Sequence, residues 1–205
     1  FNPFIVNISA GQSNTQTRSD SLAAFIDGKY HLGERFSLIG GLRYQYDWVR
    51  AASYSIIDPA FAPNPPGPPV AGKVNFYVPR PLQSDSVAKD GWSGRIGGEF
   101  RVAPDVMVFG TIARGYLGPT VTFSGLTGTK SKVNPQTVRD ITVGIKSQLF
   151  DRAVTLNANV FFDKYKNLQT SVFNGLEFLT ENAGGFKAKG FELDTSWRLS
   201  AEIGR

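Results

Sequence analysis

The sequence has no cysteine, one histidine and one methionine among its 205 residues. Without Cys there is no disulfide framework and no thiolate metal site. A single imidazole, His31, does not make a metal centre. Nor can it complete a Ser-His-Asp or Cys-His set, because it lies at a strand end beside a turn. No enzyme chemistry and no resident cofactor are expected. Long apolar runs are missing as well. A helical membrane span needs about 20 nearly uninterrupted apolar residues, and none occurs. Charge is scarce at 19%, and the net +5 is spread along the chain without a run of five like charges. A nucleic-acid partner is therefore not expected. Lys130 follows Gly128-Thr129, but the glycine spacing of a phosphate loop is absent. The apolar fraction of 41% argues against disorder.

What the sequence does have is alternation with a period of two. Successive side chains of a strand point to opposite faces. In 36–48, Phe36, Leu38, Gly40, Leu42, Tyr44, Tyr46 and Trp48 share one face, against Ser37, Arg43, Gln45 and Asp47. In 92–102, Trp92, Gly94, Ile96, Gly98, Phe100 and Val102 oppose Ser93, Arg95, Glu99 and Arg101. The windows 22–32, 141–149, 154–162 and 191–199 read the same way, and no position of the apolar parity in these windows is charged. A seventh strand, 106–113, is apolar on both faces, so its facing stays open. Charges that break parity (Arg50, Arg114, Lys164, Lys187, Lys189) fall at one kind of strand end, where an apolar band would stop.

Short turns are expected near 32–35, 103–105 and 150–153, and long loops near 51–90, 115–138 and 168–183. Short and long alternate strictly, so antiparallel strands would carry all their short turns on one side. That is the asymmetry of outer-membrane barrels, with short periplasmic turns and long extracellular loops. The windows are also about as long as a tilted strand needs to cross the hydrocarbon, about 9–11 residues. Tyr30, Phe36, Phe100 and Trp197 fall toward the short-turn side, and Tyr44, Tyr46, Trp48 and Trp92 toward the long-loop side, as two interfacial girdles would. The expected fold is all-β, an antiparallel up-and-down transmembrane β-barrel present as an open fragment of about seven strands spanning 1–205. Seven strands do not close a barrel, and an open edge in lipid is costly. A soluble β-sandwich binding module also alternates, but gives no reason for segregated turns or for rings at both ends of the apolar face.

Three stretches carry a family likeness. Gly91-Trp92-Ser93-Gly94-Arg95-Ile96-Gly97 runs through a turn to Val108-Phe109-Gly110-Thr111-Ile112-Ala113-Arg114-Gly115-Tyr116. Asn134-Pro135-Gln136 leads into Val143-Gly144-Ile145-Lys146. Asn182-Ala183-Gly184 precedes Lys189-Gly190-Phe191-Glu192-Leu193. In order and spacing these resemble the barrel domain of TonB-dependent outer-membrane receptors. The chain departs from the family pattern at Gln136, usually Glu, and at Thr142, also usually Glu.

The resemblance implies a barrel of about 22 strands with a plugged lumen, in the outer membrane of a Gram-negative bacterium. It implies TonB-dependent import of a scarce nutrient, most often a ferric siderophore. Outer-membrane lipid and lipopolysaccharide, the substrate, and the TonB complex through an N-terminal plug-bearing part are the implied partners. A passive porin or an anchoring barrel is the alternative, and an upstream plug with an acidic TonB box decides between them.

Four residues are expected to face substrate. Arg95, near the outer end of its strand, suits bidentate recognition of carboxylate or catecholate; the competing role is an ion pair with Glu99 or a neighbouring strand. Tyr116 and Phe123 stand where a strand enters its loop and could stack on an aromatic siderophore or pack between loops. Tyr77 belongs to the Pro-rich loop, which has eight of the 12 prolines between Pro59 and Pro81 and has little backbone freedom to lose on gripping a ligand.

Overall fold

A computed structural model describes residues 11–57, 79–175 and 177–198. Eleven strands run in chain order: β1 (Gly11–Leu32), β2 (Phe36–Ile57), β3 (Arg80–Ala103), β4 (Val106–Leu117), β5 (Thr120–Phe123), β6 (Lys130–Val133), β7 (Gln136–Leu149), β8 (Val154–Lys166), β9 (Gln169–Phe173), β10 (Phe178–Asn182) and β11 (Phe186–Trp197). Seven of them form one antiparallel sheet in the order β1-β2-β3-β4-β7-β8-β11. This is the up-and-down order expected. The sheet is open, and no pairing joins β1 to β11 among the described residues.

The expected turns all lie at one end. Three backbone hydrogen bonds tie that rim together: Arg101 N to Arg35 O at 2.7 Å, Gln148 N to Asp105 O at 2.9 Å, and Arg198 N to Ala153 O at 2.8 Å. At the opposite end, the expected loops shorten. Residues 51–57 and 80–90 of the expected loop 51–90 are strand, continuing β2 and β3. The expected loops 115–138 and 168–183 contain the hairpins β5-β6 and β9-β10.

Among the described residues nothing covers the apolar face. Ile26 is 74% exposed, Ile96 66% and Phe191 79%. Neither small sheet covers it, which removes the sandwich reading. Register settles the facing of β4, which its own residues left open. Phe100 pairs with Val108 and Val108 with Ile145, while Ile96 pairs with Ile112 and Ile112 with Ile141. Val108 and Ile112 therefore continue the apolar face. Phe109 sits on the polar face, with Lys146 Nζ 5.2 Å from its ring centroid.

The apolar band crosses the register obliquely. Arg114 pairs with Gly94, so Trp92 stands one same-face step above the Arg114 row; Lys189 pairs with Phe162, one step below the Lys164 row. From β3 to β11 the outer limit of the band thus descends toward the short-turn end, as strands tilted across a membrane require.

Candidate functional site

Alternation gives the sheet a second, polar face, and register organises it into cross-strand rows. One row runs Asp27–Gly41–Arg95–Ala113–Asp140–Asp163 across six strands. Arg95 reaches past Gly41 to Asp27, with Nη2 at 3.0 Å from Oδ1 and 3.1 Å from Oδ2, and Nε at 3.3 Å from Oδ2. Gly41 makes this reach possible, because a Cβ there would stand 2.3 Å from Asp27 Oδ2. The Arg95 side chain remains 54% exposed. Arg95 thus pairs with Asp27 on β1, one strand beyond its neighbour β2, and Glu99 is held instead by Lys29. His31 sits at the short-turn rim, with Nδ1 2.8 Å from Ser37 Oγ.

Above the outer limit of the band, the polar face is roofed. Val49, Ala51, Ser53 and Ser55 alternate along upper β2 on the Asp47 side, and all are buried. The β5-β6 hairpin lies over them. Its own Val121 and Val133 are buried beneath it. Lys132 Nζ sits 3.1 Å and Lys130 Nζ 3.9 Å from the Asp85 carboxylate. Arg80 Nη1 donates to Gly125 O at 3.3 Å. The Asp85 carboxyl is held below the usual carboxylate range, first by the Ser86 amide and then by Lys132.

The β9-β10 hairpin clamps this roof in place. Glu177 accepts from Ser124 Oγ, and its Oε2 accepts from Gly125 N at 2.9 Å and Leu126 N at 3.4 Å. Asn182 Oδ1 accepts from Asn134 N at 2.7 Å, while its Nδ2 donates to Asn134 O at 3.0 Å and Asn167 O at 2.9 Å. Gln169 Nε2 donates to Gly118 O at 2.8 Å and to Asn134 O at 2.9 Å. Sequence reasoning missed Glu177, Asn182 and Gln169, since their partners are distant in sequence.

Tyr116 and Phe123 belong to the same roof. Past Arg114, β4 leaves β3, and the Tyr116 ring occupies the space where a Gly91 Cβ would be, 2.0 Å from Cε2. Among the described residues its buried hydroxyl has no hydrogen-bond partner; the nearby Asp47 Oδ2 already accepts from Gln45 Nε2 at 2.9 Å. Burial, then the Asp47 and Asp90 carboxylates, push the phenol up to about 12, and Arg114 opposes them. Phe123 is half-buried beside Tyr54, Arg80 and Gly128. Tyr77 lies outside the described residues. Among the described residues, no group of three or more His, Asp or Glu side chains is placed to hold a metal.

A tilted antiparallel sheet, apolar outside and polar inside, with short turns at one rim and folded loops at the other, is the wall of an outer-membrane barrel. The family profile described as "TonB dependent receptor-like, beta-barrel" matches residues 1–205. The chain belongs to that family, and its apolar face meets lipid in the outer membrane of a Gram-negative bacterium. The pesticin receptor of Yersinia enterocolitica is 28% identical over 191 residues, covering 92% of this chain and 25% of the relative. The chain thus spans about a quarter of the length of the curated relatives it matches. Its fold is similar to that of the ferric yersiniabactin uptake receptor FyuA from Yersinia pestis, with TM-score 0.72, 21% identity, and coverage of 93% of this chain and 26% of that one. It is also similar to the ferric-catecholate import receptor Fiu from Escherichia coli K12, with TM-score 0.58, 16% identity and coverage of 91% and 26%. These names are those of receptors, not of enzymes.

Proposed function

We propose that this chain forms part of the wall of a TonB-dependent importer for a ferric siderophore. The observation that carries the reading is the likeness to a ferric yersiniabactin uptake receptor over 93% of the chain at TM-score 0.72, joined by the 28% identity to a pesticin receptor. The geometry supports it. The polar rows line the lumen, and two clamped hairpins roof them toward the rim. A passive pore needs that route open. Energy comes from the TonB complex, acting through an N-terminal plug-bearing part of the whole protein. The short-turn rim faces the periplasm and the hairpins face outward.

Within this reading Arg95 is the substrate-facing cation. It can exchange its Asp27 partner for an anionic group of the siderophore, and charge-assisted bidentate pairs are the strong ones for such recognition. Tyr116 and Phe123, in the roof above it, and Tyr77 of the Pro-rich loop are the aromatic residues we assign to substrate binding. The test is uptake of labelled ferric siderophores by iron-limited cells, with the whole gene present or deleted. Loss of uptake for one siderophore in a defined panel is expected. Unchanged uptake across the panel overturns the iron reading.

A further inference from the structure

The loop between β5 and β6, Ser124 to Thr129, satisfies most of its backbone N–H groups internally. Ser124 N donates to Thr129 O at 2.9 Å, and Gly128 N to Ser124 O at 3.0 Å. Thr127 N donates to Ser124 Oγ at 2.8 Å, and Thr129 N to Thr127 Oγ1 at 3.3 Å. Gly125 N and Leu126 N are left over. Both converge on one oxygen, Glu177 Oε2, at 2.9 and 3.4 Å. Ser124 Oγ, already an acceptor from Thr127 N, gives its own proton to Glu177 Oε1. Successive amides of a turn that aim at one point form an anion-binding concavity, and here a buried hydroxyl joins them. Arg80 reinforces it from behind. Its Nη1 donates to Gly125 O at 3.3 Å, the carbonyl of the same peptide unit as the Leu126 N–H. Hydrogen bonds linked in this way strengthen one another.

The carboxylate in the cradle comes from the tip of the other hairpin. Asn174 N donates to Glu177 O at 3.1 Å, and Glu177 N to Asn174 Oδ1 at 3.0 Å, which closes that tip on itself. Among the described residues β9 and β10 pair with each other and with no third strand. A lone two-stranded ribbon is marginal in water, so its anchors matter. Gln169 and Asn182 tie the base to Gly118 and Asn134, and Glu177 ties the tip to the cradle. The last pair of the ladder before the tip is Phe173–Phe178. Their rings lie 5.1 Å apart and stay 55% and 71% exposed. An aromatic pair in water thus stands beside a cradle shaped for a carboxylate. One carboxylate seated by charge-assisted hydrogen bonds can be exchanged for another of the same shape.

We propose that the Ser124–Leu126 cradle is a binding site for a carboxylate of the ligand arriving from outside, and that Glu177 fills it in cis until that ligand comes. The incoming carboxylate takes the two amides and the Ser124 hydroxyl, while its apolar part meets Phe173 and Phe178. Glu177 leaves, and the tip of β9-β10 is released with its base still tied. Binding is thereby coupled to loosening of the clamp on the roof. Glu177 competes from a tethered position, at a high effective concentration. The aromatic contact offsets that advantage and selects carboxylates that carry a ring. The proposal rests on the import reading for the outward placement of the hairpins, and it adds the chemical class of one group on the ligand.

The test uses the full-length receptor purified in mild detergent, with amide hydrogen exchange read by mass spectrometry. The probes are benzoate, its neutral isostere benzamide, and inorganic phosphate. In the native receptor, saturating benzoate is expected to speed exchange along β9 and β10 while 124–128 stays protected. In Glu177→Ala, exchange in 124–128 is fast without a probe, and benzoate is expected to slow it by about tenfold, as hydrogen bonds to a charged group do. Benzoate is also expected to bind this variant about tenfold more tightly than the native receptor, because a tethered competitor is gone. A purely structural Glu177 predicts the opposite sign. Heat-modifiable electrophoretic mobility reports whether the variant is folded. Benzamide or phosphate acting as well as benzoate, unchanged β9-β10 exchange in the native receptor, or no protection by benzoate in the folded variant overturns the proposal. The native receptor decides the matter even if the variant does not fold. These measurements need no transport, so the cradle and the iron reading fail separately.

Discussion

Ile96→Arg places a charge at a depth that the structure fixes. Ile96 lies four residues below Trp92, the girdle residue of its own strand. At about 3.4 Å per residue that is about 14 Å along the strand, and a tilt of 35–45° reduces it to about 10 Å of depth. The apolar band of a barrel is about 25 Å tall, so Ile96 lies close to its midplane. The side chain is 66% exposed on that face, with the uncharged Gly40 and Ile112 as its cross-strand neighbours. A midplane arginine on the lipid face costs about 2–4 kcal/mol. Thr142→Arg is the matched control. Thr142 is on the lumenal face, where its hydroxyl donates to Asp140 Oδ2 at 2.9 Å. Losing that bond costs about 0.5–1.5 kcal/mol, and the new cation stands beside the carboxylate in a wet site. Urea unfolding of the full-length receptor in vesicles, followed by tryptophan fluorescence and linear extrapolation, compares the two. Equal losses, or a larger loss for Thr142→Arg, would refute the facing of the whole sheet.

Three further outcomes follow from the roof. Gly91→Val puts a side chain into the Tyr116 ring; the β5-β6 hairpin is expected to become sensitive to external protease in intact cells, while the band below stays folded. Glu177→Gln removes the carboxylate that holds Ser124, Gly125 and Leu126; amide exchange in 124–128 is expected to speed up by at least tenfold, about 1.4 kcal/mol, and unchanged protection would remove Glu177 from the clamp. Tyr116 titrates higher folded, about 12, than its ordinary 10. An unfolded chain therefore ionises first, so the stability contribution is intact below pH 10 and declines as pH rises toward about 12. Tyr116→Phe is expected to remove that alkaline decline in a pH series of unfolding midpoints.

The barrel wall was legible because its environment writes a period-two signal into the sequence. One face must be apolar along its whole length, and each residue of 36–48 and 92–102 states its own side. The strand 106–113 defeated that logic because Phe109 and Met107 put apolar groups in the lumen; only the partners Phe100 and Ile145 show which side is which. The hairpin β5-β6 had a readable signal in Thr120-Val121-Thr122-Phe123 and Lys130-Ser131-Lys132-Val133, two β-prone runs around a turn-rich Ser-Gly-Leu-Thr-Gly-Thr. The Asp27–Arg95 pair and the alignment of Arg114, Arg139 and Lys164 had no local signal. Each depends on how residues tens of positions apart come into register, and a single position says nothing of that. Arg139 shares charge and parity with Arg114 and Lys164, yet only register shows that the three stand side by side.

The strands differ in reach beyond the girdle. β3 continues for 12 residues above Trp92, from Arg80 to Gly91, whereas β4 ends three residues past Arg114, at Leu117. On one flank the chain stands as a parapet about 30 Å high; on the other the rampart is low and finished by a folded lid. Along this part of the wall a bulky visitor meets more protein over the high flank than over the low one. Within this segment, a large particle arriving from outside finds more purchase on the parapet than on the lid.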